Sequence, residues 1–306
     1  MTASYLNKPV GPVLASERED TLALPDGRTL SYTLHGAAEG PLVVFLDGPG
    51  SRGLARAASE VAADLGIRLV APDRPGFFSS SPAPARGIAD WPADHRALLD
   101  ALGVERAGIV GQSGGTPYAL AAAAAMPERT TGLALIAPVG PLGDRENLAD
   151  AGRELRIGAT LSRRAPWLFR TVLRVAGRKA AKNPEKTAAA YAKNLPAGDA
   201  AVMSEPRYFA LHQQATAEIL SRPDAVAREI GLLARPWGID LAACRVPVAF
   251  WSGDADTAHP TSHARRLAAQ LGDAPVRVIP GAATFGLMPF YGDALTFATS
   301  RERDGR

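Results

Sequence analysis

Cysteine occurs once in these 306 residues, at Cys244, so no disulfide can form within the chain. The sulfur reads as a small structural side chain, and the chain is expected to be cytoplasmic. No apolar run approaches the ~20 residues that a membrane span needs. Met1 to Ser16 has no apolar core behind a basic start, so no secretory signal is expected. No Cys/His cluster has metal-ligand spacing, and no glycine loop cradles a phosphate, so neither a metal nor a cofactor is expected. Histidine is scarce as well. Any histidine chemistry must use one of five residues, His35, His95, His212, His259 and His263.

What is present fits a globular protein, with 46% apolar and 21% charged residues. Charge is uneven. Arg153 to Lys186 holds ten Lys or Arg against Glu154 and Glu185, a net +8 in a chain whose total is +3. Such a run is most simply a solvated helix face. It also suits a substrate that is anionic or tethered to an acidic carrier. No aromatic stacking platform accompanies it, so nucleic acid is not expected as a partner, and neither is a membrane.

Apolar patterning gives the order of elements. Thr21 to Leu34 reads as a hairpin around Asp26-Gly27. Continuous apolar runs at Pro41–Leu46, Ile67–Ala71, Ala107–Val110 and Thr131–Val139 read as strands buried on both faces. Helical spacing at Leu54–Leu65, Asp94–Leu102 and Pro117–Met126 alternates with them, which means a parallel sheet with helices on both faces. From about Gly140 to Pro236 the pattern is helical only, with predicted helices around Leu168–Val175, Ala188–Leu195, Tyr208–Leu220 and Ala225–Leu233. The sheet resumes at Val246–Trp251 and Val276–Ile279, with helices at Thr261–Leu271 and near Tyr291–Thr299. Residues 1–139 and 237–306 are therefore expected to form an α/β core, and 140–236 a helical cap. Cap aromatics such as Trp167, Phe169, Tyr191, Tyr208 and Phe209 are expected partly in core and partly around an apolar cavity.

The most informative stretch is Gly111-Gln-Ser113-Gly114-Gly115, between a strand and an alanine-rich helix. G-x-S-x-G in that context lifts a serine oxygen above the carboxyl end of a sheet. With it, in order, come Phe45-Leu-Asp47-Gly48-Pro-Gly-Ser-Arg52, Asp73-Arg-Pro-Gly76, Gly253-Asp-Ala-Asp256 and Ile279-Pro-Gly-Ala-Ala-Thr284. In these motifs the chain resembles the α/β-hydrolase superfamily over residues 20–300, and is most similar to bacterial members with a helical cap after strand six. The resemblance implies a nucleophile at Ser113, an acid at Asp256, and an oxyanion hole from the backbone N–H groups of Gly48 and Gly114.

Two departures complicate that reading. Thr284 stands where the family has its histidine, and Leu46-Asp47 where it has His-Gly. Serine needs a general base, and threonine cannot accept its proton near neutral pH. Asp47 also places a carboxylate near a developing oxyanion, although it leaves the Gly48 N–H in place. Candidate replacement bases are His259, three residues past Asp256, His212 on the cap, and the carboxylates of Asp256 and Asp47. Asp144 lies where some relatives place the acid. His35 reads as structural or exposed, His95 as packing or solvent-facing, and His263 as a surface residue. The leading expectation is cofactor-free proton-transfer, cyclisation or lyase chemistry on a small, largely apolar molecule, as in specialised metabolism. The alternatives are a serine ester, lactone or thioester hydrolase with a relocated base, and a binding protein that has lost catalysis.

Overall fold

The computed structural model describes residues 18–300 apart from 51, 184, 185, 188, 191, 192 and 194. Tyr191 and much of the predicted Ala188–Leu195 helix lie outside the described residues.

Eight strands form one sheet: β1 (Arg18–Ala23), β2 (Thr29–Gly36), β3 (Leu42–Leu46), β4 (Arg68–Pro72), β5 (Ala107–Gln112), β6 (Thr130–Ile136), β7 (Val248–Gly253) and β8 (Val276–Ile279). Their spatial order is β1-β2-β4-β3-β5-β6-β7-β8. β1 pairs antiparallel with β2, and β2 antiparallel with β4, while β3 to β8 run parallel. Every residue of β3, β5, β6 and β7 is buried, as their continuous apolar runs require. Neighbouring side chains leave by opposite faces. Val44, Leu46 and Ile109 join one apolar cluster, and Val43, Phe45 and Val110 join the other. Each fully buried Leu or Phe contributes roughly 1.5–3 kcal/mol of transfer free energy.

Helices α1 (Gly53–Asp64), α2 (Trp91–Ala101) and α3 (Thr116–Ala125) precede β6, and α10 (Thr261–Gln270) and α11 (Tyr291–Ala298) follow β7 and β8. Between β6 and β7 come α4 (Arg145–Asp150), α5 (Arg153–Arg164), α6 (Pro166–Lys182), α7 (Ala197–Met203), α8 (Pro206–Ser221) and α9 (Pro223–Leu233), with no strand among the described residues. A third apolar cluster, with Val139, Leu142, Ala159 and Leu233, underlies this layer.

Three histidines serve structure. His263 was expected at the surface and is fully buried. Its Nδ1 accepts the Gly140 N–H at 3.1 Å, and its Nε2–H donates to the Asn147 carbonyl at 2.8 Å. It thereby pins the chain leaving β6 to α10. His95 is buried beside Trp91, with the rings edge-to-face at 6.4 Å. His35 is buried on β2, its Nε2 2.9 Å from Thr33 Oγ1. Asp144 precedes α4 and accepts from the Asn147 side chain at 3.4 Å.

Candidate active site

The sharp turn after β5 sets the position of Ser113. Its φ is +52°, left-handed for a residue with a side chain, a strain of roughly 1–3 kcal/mol. The flanking glycines make this possible. A Cβ on Gly111 would lie 2.6 Å from Ala119 Cβ, and one on Gly115 would collide with the Leu46 carbonyl oxygen.

Ser113 Oγ lies 2.8 Å from His259 Nε2. His259 sits in the loop after β7, and that loop is curled by Asp256. Asp256 Oδ1 accepts the backbone N–H groups of Ala258 and His259 at 2.9 and 2.8 Å, which turns the chain back over its own acid. His259 Nδ1 then stands 3.3 Å from Asp256 Oδ2 and 3.2 Å from Thr284 Oγ1. Thr284 donates its hydroxyl to Asp256 Oδ2 at 2.8 Å. Nδ1 therefore faces two acceptors, a carboxylate oxygen and the lone pairs of a hydroxyl whose proton is already committed. This network assigns the proton to Nδ1 and leaves the Nε2 lone pair toward the serine hydroxyl. Burial pushes the Asp256 carboxyl up, but the adjacent His259 and the hydrogen bonds from His259 and Thr284 outweigh it and hold the carboxyl below its usual range.

Asp47 is placed differently from the sequence expectation. Its Oδ2 accepts the Leu54 N–H at 3.0 Å in the first turn of α1, and its Oδ1 accepts the Gly48 N–H at 2.5 Å. The side chain thus engages the very donor that the sequence argument had left untouched. Gly48 lies against Ser113, since a Cβ there would meet Ser113 Oγ at 3.7 Å. The same loop is fixed from behind by Arg74, which donates to the Asp47 carbonyl at 2.9 Å and the Gly48 carbonyl at 3.0 Å. In a trans peptide, anchoring the Asp47 carbonyl aims the Gly48 N–H the opposite way. Arg74 is buried and paired at 3.0 Å with Glu229 of α9, whose other oxygen accepts the Tyr118 hydroxyl at 2.7 Å.

Ser113, Asp47, Gly48 and Thr284 border a cavity of about 610 Å³. Leu211, Ala215, Ile219 and Leu220 of α8 and Met288 form much of its apolar wall. His212 also lines it, with its ring edge-to-face to Phe285 at 5.1 Å. Burial lowers the His212 pKa, but the imidazole that reaches Ser113 is that of His259. Among the described lining residues there is no Lys or Arg, and the charged ones are Asp47 and Glu154.

Sequence reasoning missed Asp199 of α7. This buried carboxylate accepts the N–H groups of Ala283, Phe285 and Gly286 at 2.7, 3.0 and 2.7 Å, and so shapes the loop that presents Thr284. Arg74 and Glu229 were missed as well. Arg74 stands within the Asp73-Arg-Pro-Gly76 motif, but nothing in the sequence pointed to its pairing with Glu229. Asp199 had no signal in the sequence.

The sequence pattern of the alpha/beta hydrolase fold family matches residues 40–289. The chain belongs to the α/β-hydrolase family. Within that family it is 37% identical over 111 residues to a 2-hydroxymuconate semialdehyde hydrolase of Pseudomonas putida, a match covering 35% of this chain and 40% of the relative. It is also 37% identical over 111 residues to a 2-hydroxy-6-oxo-6-phenylhexa-2,4-dienoate hydrolase of Comamonas testosteroni, covering 34% of this chain and 38% of the relative. The matches thus span well under half the length of these α/β-hydrolase relatives. A hydrolase from Pseudomonas aeruginosa PA01 shares the fold at a TM-score of 0.65 and 22% identity, over 93% of this chain and 98% of the other.

Proposed function

We propose that the chain is a serine hydrolase for a neutral, largely apolar ester, lactone or thioester, with His259 doing the work of the histidine missing at position 284. The observation that carries this reading is the 2.8 Å approach of His259 Nε2 to Ser113 Oγ. The case for proton-transfer or cyclisation chemistry rested on two departures together, the histidine missing at position 284 and Leu46-Asp47 in place of His-Gly. A base at hydrogen-bond distance from Ser113 supplies the first of these, and Asp47 then bears on the rate of acyl transfer rather than on its possibility.

Residues 140–236 act as the cap. Their helix α8 walls the cavity above the nucleophile, so the acyl group lies between cap and sheet. As Ser113 Oγ bonds to the substrate carbonyl carbon, its proton passes to His259 Nε2. Asp256 supports the imidazolium through Nδ1–H, and Thr284 keeps that carboxylate and ring aligned. When the tetrahedral intermediate collapses, the bond to the leaving oxygen or sulfur breaks and the leaving group takes the proton from Nε2. Water then repeats the sequence, releasing the acid and restoring Ser113. Gly114 N–H is one donor to the oxyanion. Gly48 N–H is the other once the carbonyl oxygen displaces the Asp47 carboxylate, so Asp47 slows acyl transfer.

The substrate class follows from the lining. A buried substrate carboxylate needs a cation. With Asp47 and Glu154 as the charged groups at the cavity, a neutral acyl chain fits better than a dienoate of the kind named for the curated relatives. Steady-state hydrolysis of p-nitrophenyl butyrate and octanoate, against a 2-hydroxy-6-oxo-dienoate, tests both points. Turnover of the neutral esters should be lost in Ser113→Ala and fall about 10³-fold in His259→Ala with KM little changed. Preference for the dienoate, or ester turnover indifferent to Ser113→Ala, would defeat the proposal.

A further inference from the structure

The cap carries a surface that the catalytic reading does not use. On α6 the inner face is Phe169, Gly177 and Ala180, all buried. The outer face exposes Trp167 at 65%, Val175 at 58%, Val172 at 47% and Leu168 at 36%. The spacing 168, 172 and 175 makes one continuous stripe along the helix. On neighbouring α5, Ile157 is exposed at 46%. These five are the large apolar side chains left exposed among the described residues, and all lie on two consecutive helices.

Cations surround them. Lys179 and Lys182 continue the stripe one and two turns on, and Arg170, Arg174 and Arg178 form a second exposed row along the same helix. The ten basic residues from Arg153 to Lys186 are all exposed. Of the ten, only Arg174 forms an ion pair among the described residues, with Asp224 at 2.9 Å. These side chains do not line the cavity above Ser113. Arg170, Arg228 and Arg235 also border a cleft of about 300 Å³ that Pro166 and Phe169 help to line, with Asp224 its one acid among the described residues.

We propose that this face docks the protein on an anionic lipid bilayer. The helix lies in the plane of the interface. Trp167, Leu168, Val172 and Val175 enter the headgroup–acyl boundary, and the basic residues meet anionic headgroups, with Lys179 and Lys182 reaching outward along their aliphatic stems. The charge complementarity is what selects a lipid surface over a second copy of this chain. Two such faces brought together would set like charge against like charge, because the segment from Arg153 to Lys186 that carries them has ten cations and two acids. No described helix is long and apolar enough to cross a membrane, so the attachment is peripheral. It departs from the expectation, drawn from the sequence alone, that no membrane is a partner.

Co-sedimentation of the full chain with vesicles of phosphatidylcholine alone, or with 30 mol% phosphatidylglycerol, tests this. Binding is expected only to the anionic vesicles, weakened at least tenfold between 50 and 300 mM salt. The emission difference between wild type and Trp167→Phe should shift to the blue on binding. Arg170→Glu/Arg178→Glu and Trp167→Ser/Val175→Ser should each weaken binding about tenfold or more. Because those side chains are exposed, both variants should keep the wild-type melting temperature and ester turnover. Equal binding to neutral vesicles, no binding to either kind, or a wild-type dimer in sedimentation that Trp167→Ser/Val175→Ser disperses would overturn the proposal.

Discussion

At position 284 a hydroxyl stands where the family places an imidazole, and its two bonds define what it does. It donates to Asp256 and leaves its lone pairs toward His259 Nδ1. Thr284→Val removes both at nearly constant volume. A hydrogen bond to a charged group is worth roughly 1.5–3 kcal/mol, and at least ten-fold of that is expected in kcat, with KM little changed. Thr284→Ser should retain most of the activity. Asp47 has a different signature. Asp47→Gly frees the Gly48 N–H and removes a negative charge from beside the oxyanion, so kcat should rise about tenfold or more. The same change takes away the acceptor for Leu54 N–H in α1, so stability should fall by about 1 kcal/mol. Kinetics and thermal melts on one variant should therefore move in opposite directions.

Loops, more than strands, decide this site. The strands and helices were legible because a parallel sheet writes continuous apolar runs and its helices write a 3.6 period. The elbow was legible because its backbone demands glycine at fixed positions. The position of His259 was only half legible. An Asp followed three residues later by His can close over itself, but that closure depends on Asp256 accepting two backbone N–H groups, which no periodicity reveals. Asp199 was not legible at all, because its partners lie more than eighty residues away in the sequence. Asp199→Ala would strand three N–H groups around residues 283–286. The cost is expected to exceed about 3 kcal/mol, with a melting temperature lower by roughly 6 °C or more, given ~2–4 °C per kcal/mol for a chain of this kind. Asp199→Asn, which keeps one acceptor, should fall between. Differential scanning calorimetry distinguishes the three.

Across the whole molecule, burial of neutral histidine links stability to pH. Burial, reinforced by Arg129, pushes the His95 pKa from 6.5 down to about 4. Between those values the unfolded chain binds a proton that the folded chain refuses. Stability is therefore full above pH 6.5 and declines as the pH falls toward 4, by on the order of 3 kcal/mol from this residue. His212 and His263, also lowered by burial, add in the same direction. Melting temperature against pH should be flatter below 6.5 in His95→Gln than in wild type. The fold is that of the family, and in the proposed reading the base is carried from the loop after β8 to the loop after β7. The most direct test of that displacement is the rate at which a fluorophosphonate labels Ser113 in wild type and in His259→Ala. Wild type should label at Ser113, and the variant should be slower by about 10²–10³-fold. Absence of labelling in wild type, or equal rates in the two proteins, would contradict the account.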